Sequence, residues 1–139
     1  MKVGSGEAVS ILSNASVTST AFDEINKRIF WPGSQSDVKG NGQSAIFQVR
    51  LNEGNGTGNR TVFAIPSFEQ ARSLSQSSAS HVEMTCLEYD WVGDNVYFVD
   101  TQRGICLCNN RSMCTIVVNR NSIHGIHNST KIALDSDRG

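Results

Sequence analysis

The residues best suited to chemistry in this chain are its four cysteines, Cys86, Cys106, Cys108 and Cys114. On a strand, Cys106-Leu107-Cys108 puts two thiols on one face. If the loop that follows spans Asn109–Met113, Cys108 faces Cys114 and a cross-strand disulfide can close. If it spans Asn109–Ser112, Cys114 falls on the opposite face and cannot be reached. Buried free thiols are the other reading. A zinc site needs four convergent ligands, and one C-x-C, one further cysteine and scattered histidines match that poorly. His124 and His127 flank the turn-like "SIHGIHNST", and His81 stands apart. These read as solvated loop histidines, with a pH-sensing pair as the sharper alternative. Asp135 and Asp137 are too few for a calcium loop. There is no G-x-S-x-G, no H-E-x-x-H, and no glycine loop opening a helix. The runs "GNGQSAIF" and "EGNGTGNR" precede strand-like segments, which suits hairpin loops better than phosphate cradles. Nothing here points to catalysis, to a metal or to a cofactor.

The elements that must position such residues are strands. The chain has 139 residues, 12 glycines and only two prolines, Pro32 and Pro66. Amphipathic helical patterns are almost absent, and short apolar runs alternate with turn residues, which predicts an all-β chain. Net charge is −1 and no basic stripe occurs, so nucleic acid is a poor partner. No apolar run has the length of a signal-peptide core or of a membrane helix, so no direct insertion into a membrane is expected of this segment. Five Asn-X-Ser/Thr sequons occur, at Asn14, Asn55, Asn59, Asn110 and Asn128. Residue frequencies give about two by chance, and the excess suggests a secreted glycoprotein.

The punctuation of the strands repeats. "STAFDEINKRIFWPG", "TCLEYDWVGDNVYFVD" and "TKIALDSDRG" each carry an apolar strand ending in Asp, at Asp23, Asp90 and Asp135. Seven positions after the first two come Phe30 and Tyr97, followed by Trp31 and Phe98. Asp90 and Asp135 are 45 residues apart, and Asp23 and Asp90 are 67 apart across a Gly/Asn/Ser-rich insertion. Periods of 40–45 residues with four short strands per unit are the pattern of propeller blades. The first unit is expected to hold strands at Val17–Phe22, Arg28–Trp31, Ala45–Leu51 and Thr61–Ile65. The second holds them at Val82–Tyr89, Asn95–Val99, Gly104–Cys108 and Cys114–Val118. The chain then divides into an N-terminal segment 1–15, a blade over 16–66, a Ser-rich linker over 67–81, a blade over 82–122, and the start of a third over 123–139 beginning near Ile132. A short helical turn over Phe68–Leu74 is a possibility within the linker. Gly93-Asp94-Asn95 supplies a tight hairpin. Asp90 and Asp100, at strand ends, are placed to accept from amides of the following turns, and Asp135 offers the same. Tyr97 and Phe98 point to opposite faces.

These residues resemble the LDL-receptor class B repeat, the YWTD repeat of six-bladed extracellular β-propellers. "LEYDWVGDNVYFVD" resembles it well, with Tyr97 to Asp100 standing for the tetrapeptide, and "IALDSDRG" resembles the start of another repeat. "AFDEINKRIFWPG" is the weaker match, with Pro32 and Gly33 replacing the tetrapeptide's Thr and Asp. The resemblance implies a partial β-propeller of about two and a half YWTD-type blades, each of four antiparallel strands. It implies that Asp23, Phe30, Trp31, Asp90, Trp91, Gly93, Tyr97, Phe98, Asp100, Asp135 and Gly139 are scaffold positions. It implies a non-catalytic, extracellular protein-binding module, part of an endocytic or signalling membrane receptor, with protein ligands and neighbouring EGF-like modules as partners. The alternatives are a metal-dependent hydrolase propeller and a Ros/sevenless-type receptor kinase propeller. An unclosed set of blades leaves sheet faces exposed, so the isolated chain is expected to be unstable or prone to aggregate.

Overall fold

The computed structural model describes residues 17–51, 59–68, 82–122, 124 and 131–135. They are all-β, without a helix, in two sheets. The first sheet is an antiparallel meander of β1 (Ala21–Asp23), β2 (Arg28–Ser36), β3 (Gly42–Arg50) and β4 (Thr61–Ala64). The second runs β6 (Met84–Asp90), β7 (Asn95–Asp100), β8 (Gly104–Asn109) and β9 (Met113–Asn119) in the same way. Its far edge carries β5 (Ser67–Phe68), paired parallel to β9. The eight strands expected from alternation are all present with ends within three residues, except that β1 begins four residues later and β2 runs five residues further than expected. β5 is not among them: Phe68 belongs to a strand and not to a helical turn, and the rest of the linker lies outside the described residues. Lys131–Asp135 join neither sheet. The N-terminal segment, Asn14, Asn55, Asn128, His81, His127 and Gly139 also lie outside the described residues.

β3 has buried side chains on both faces, as a central strand should. Ile46 enters the core between the sheets, while Ala45, Phe47 and Val49 join Trp31 in a second cluster on the far side of the first sheet. The shared core holds Phe30, Ile46 and Phe63 from one sheet against Leu87, Val96 and Phe98 from the other. Phe30 stacks on Tyr89 at 4.8 Å between centroids and meets Phe63 edge-on at 5.0 Å. Pro32 lies just past the last β2 residue paired with β1, where the outer edge needs no amide donor.

The two sheets stack head to tail. Residues 67 apart are equivalent, as Asp23 and Asp90 show. Trp31 faces away from the second sheet, whereas its equivalent, Phe98, faces the first. Phe47 and Cys106, paired with Trp31 and Phe98, divide in the same way. A two-fold sandwich would bring equivalent residues together at the interface; here each sheet presents its Phe30/Tyr97 side forward and its Trp31/Phe98 side backward.

One irregularity makes the second sheet fit. Between Thr85 and Glu88 the register with β7 shifts, and Cys86 takes a φ of 54°. This bulge changes the phase of β6, so Met84, Leu87 and Tyr89 all reach the same core despite their odd spacing. The freed amide of Leu87 donates to Ser19 Oγ at 2.9 Å. At the opposite end, Gly104 adopts a φ of 112°, and a Cβ there would stand 2.6 Å from the Arg120 amide nitrogen. No other residue fits that turn without strain.

Candidate functional site

The site develops from two equivalent turns. Asp23 Oδ1 accepts from the amides of Ile25 and Asn26, both at 3.1 Å. Asp90 caps its turn likewise, accepting from Val92 at 3.0 Å and Gly93 at 3.3 Å. Asp100 accepts from the Gln102 amide at 2.8 Å and pairs with Arg103 at 2.6 Å. A strand-end Asp thus closes each turn through its own carboxylate, the role the spacing suggested. Lys27 and Asp94 sit at equivalent places, with φ of 53° and 51°. Gly93 leaves room for the caps: a Cβ there would lie 2.8 Å from Asp90 Oδ2.

Arg28, which follows the first turn, binds the sheets together. Its guanidinium donates to Asp23 at 2.8 Å, Gln48 at 3.2 Å, Tyr89 Oη at 2.7 Å and Asp94 at 2.9 Å. Tyr89 in turn donates to Asp94 at 2.7 Å, and Asn110 Nδ2 donates to the other Asp94 oxygen at 3.1 Å. Burial works against ionisation of Asp23, but the bonds from Asn26 and Arg28 and the charge of Arg28 outweigh it and hold the carboxyl below its ordinary range. Burial, aided by the bond to Asp94, raises the Tyr89 phenol above its ordinary value. The cluster is a structural tie and offers no unpaired group. Sequence reading picked out Asp23 but missed Arg28, Tyr89 and Asp94. The available signal was Arg28 and Asp94, opposite charges next to one another once the repeats are overlaid.

The cysteines divide between two roles. Cys108 and Cys114 are register partners with Cα atoms 4.2 Å apart and form a disulfide across the β8–β9 turn. Cys106 is wholly buried, and burial, with the field of Asp100, pushes its thiol up to about 12. The turn inside the disulfide also holds the chain that crosses between sheets: Ser112 Oγ accepts from the Ile65 amide at 2.9 Å. Phe68 beyond it lies under the Arg103 guanidinium at 4.6 Å. Of the sequons, Asn59 is exposed along with Arg60 and Thr61, whereas the Asn110 and Ser112 side chains are both engaged.

Beside the tie, where edge strands β1 and β6 run against one another, lies an open cleft of about 440 Å³. Phe22, Glu24 and Ile25 line it from the first sheet and its turn; Glu88, Tyr89 and Trp91 line it from the second. Leu134 and Asp135 also border it. Trp91, expected as a scaffold residue, is half exposed and so does not serve the core. Tyr97 and Phe98 do point to opposite faces, with Phe98 between the sheets. His124 is exposed in a turn. Among the described residues, no three His, Cys, Asp or Glu side chains group as metal ligands, and no helix is long and apolar enough to cross a membrane.

No protein-family model matches the chain, and no curated protein matches it by sequence.

Proposed function

We propose that the chain is a non-catalytic, protein-binding part of an extracellular β-propeller related to the LDL-receptor YWTD family, carried by a membrane receptor that takes protein ligands and flanks EGF-like modules. The observation that carries this reading is the head-to-tail stacking of two equivalent four-stranded meanders. Propeller blades stack in this sense, each covering the forward face of the one before. The Tyr97 face of the second sheet is then the seat of a third blade, whose first strand begins near Ile132. The Cys108–Cys114 disulfide agrees with an oxidising compartment, and the excess of sequons agrees with secretion.

The test is to direct the chain into the secretory pathway of animal cells and purify it from the medium. It is then titrated against arrayed secreted and cell-surface proteins. The reading expects a glycan on Asn59, an intact disulfide, and saturable binding that is lost when the chain is unfolded. A chain that is secreted and folded yet binds none of them, or that carries neither modification, would overturn it.

A further inference from the structure

The cleft between the two Asp-capped turns combines two features that seldom lie together on a surface without a partner. Three large apolar side chains lining it are substantially open to solvent: Phe22 at 47%, Ile25 at 66% and Trp91 at 50%. Contiguous exposed apolar surface rimmed by polar groups marks interaction sites on soluble proteins. The rim here is of one sign. Glu24, Glu88 and Asp135 border the cleft, and among the described residues no Lys, Arg or His does. Lys27 and Arg28, at the first turn, do not neutralise Glu24 and Glu88. Arg28 is committed to Asp23 and Asp94, and Lys27 shares the first turn but does not line the cleft. Neither Glu24 nor Glu88 has an ion-pair partner among the described residues. The chain as a whole is nearly neutral, at −1, so this acidity is local.

We infer that the cleft docks a segment of another protein that carries an arginine or lysine beside an aliphatic residue. The charge of that segment complements Glu24 and Glu88 and steers the encounter. Its cationic head lies over the exposed Trp91 indole, the aromatic face that attracts a cation most strongly. The aliphatic neighbour covers Phe22 and Ile25. Trp91 is the anchor, since aromatic residues dominate the energetics of such contacts. This inference rests on the protein-binding reading and names the partner chemistry of one site within it.

The test uses the full chain and a fluorescein-labelled peptide of alternating arginine and leucine, followed by fluorescence anisotropy. Saturable binding is expected, weakening as salt rises. A glutamate–leucine peptide should not bind. The Glu24→Gln/Glu88→Gln double variant and Trp91→Ala should each weaken binding on the order of tenfold or more, while Trp91→Phe keeps most of it. All of the altered side chains are partly or wholly exposed, and an unchanged thermal melt confirms that each variant is folded. Equal binding of a glutamine–leucine peptide, or binding indifferent to the double variant, overturns the inference. So does sedimentation that shows a dimer of the wild type dispersed by Trp91→Ala, because a second copy of the chain is then the occupant. If both cleft variants keep the wild-type binding to arrayed proteins, the site is wrong and the binding module stands. If the wild type binds no protein, the module reading fails with it.

Discussion

Arg28 makes four side-chain hydrogen bonds from a position that is 14% exposed, and two of them reach the other sheet. Removing it leaves Asp23, whose side chain is fully buried, with its turn amides but without its counter-charge. Arg28→Met should therefore cost about 3 kcal/mol or more, read from urea unfolding. The acid dependence has a defined sign. Asp23 has a carboxyl held below its ordinary value of 3.8, so the unfolded chain binds the proton more readily than the folded one. The stability it contributes is complete above the unfolded value and drains away as pH falls through the lowered folded one. Unfolding curves at pH 7 and pH 5 should show the same Asp23 contribution, and Asp23→Asn should abolish a loss that begins only near pH 4. A steep loss between pH 7 and 5 traced to Asp23 would contradict this.

Among the elements, the β8–β9 hairpin does the most for its length. Its disulfide closes a loop of sequence separation 6. Chain-entropy arguments give such a loop about 2 kcal/mol, so Cys108→Ser/Cys114→Ser should lower the unfolding free energy by that amount without changing the fold. The same turn bears a sequon whose Asn110 amide is held by Asp94 and whose Ser112 hydroxyl is held by Ile65. Peptide mass mapping of the secreted chain should find Asn59 occupied and Asn110 bare once folding precedes modification. How much of this was legible beforehand differs from strand to strand. β7 and β8 could be read closely because their turn residues and alternation agree. β6 could not be read fully, because its bulge at Cys86 and Leu87 breaks the period of two on which strand reading depends. β5 was missed because two residues carry no period at all. The cleft was missed for another reason: Phe22 and Glu88 look like alternate residues of ordinary strands, and only the apposition of β1 with β6 makes them neighbours.

At the scale of the molecule, one core serves both sheets. Phe30 is wholly buried and touches Phe63 of its own sheet and Tyr89 of the other. Phe30→Ala should cost about 3–5 kcal/mol. Because the core is shared, the chain should melt as one unit before and after the change, with near-ultraviolet and far-ultraviolet signals coincident. A cooperative, monomeric melt of this kind would overturn the expectation of aggregation drawn from the unclosed blades. A first sheet that melts separately from the second would show that the stack is two domains, and would weaken the blade reading. The composition and repeats pointed to an all-β stack of meanders, but the direction of stacking could be read only from the faces of Trp31 and Phe98.

Among the described residues, the tie at Arg28 occurs once. The residue equivalent to it in the second unit is Asn95, which has no cation to offer a following sheet. A repeat protein with identical joints can add its own copies without end, and head-to-tail interfaces that fail to close give fibres. Here the degeneracy of the repeat works as a stop. The forward face of the second sheet lacks the electrostatic latch of the first, so a stray copy of the chain that settles on it has no counterpart of the Arg28–Asp94 bond to hold its register.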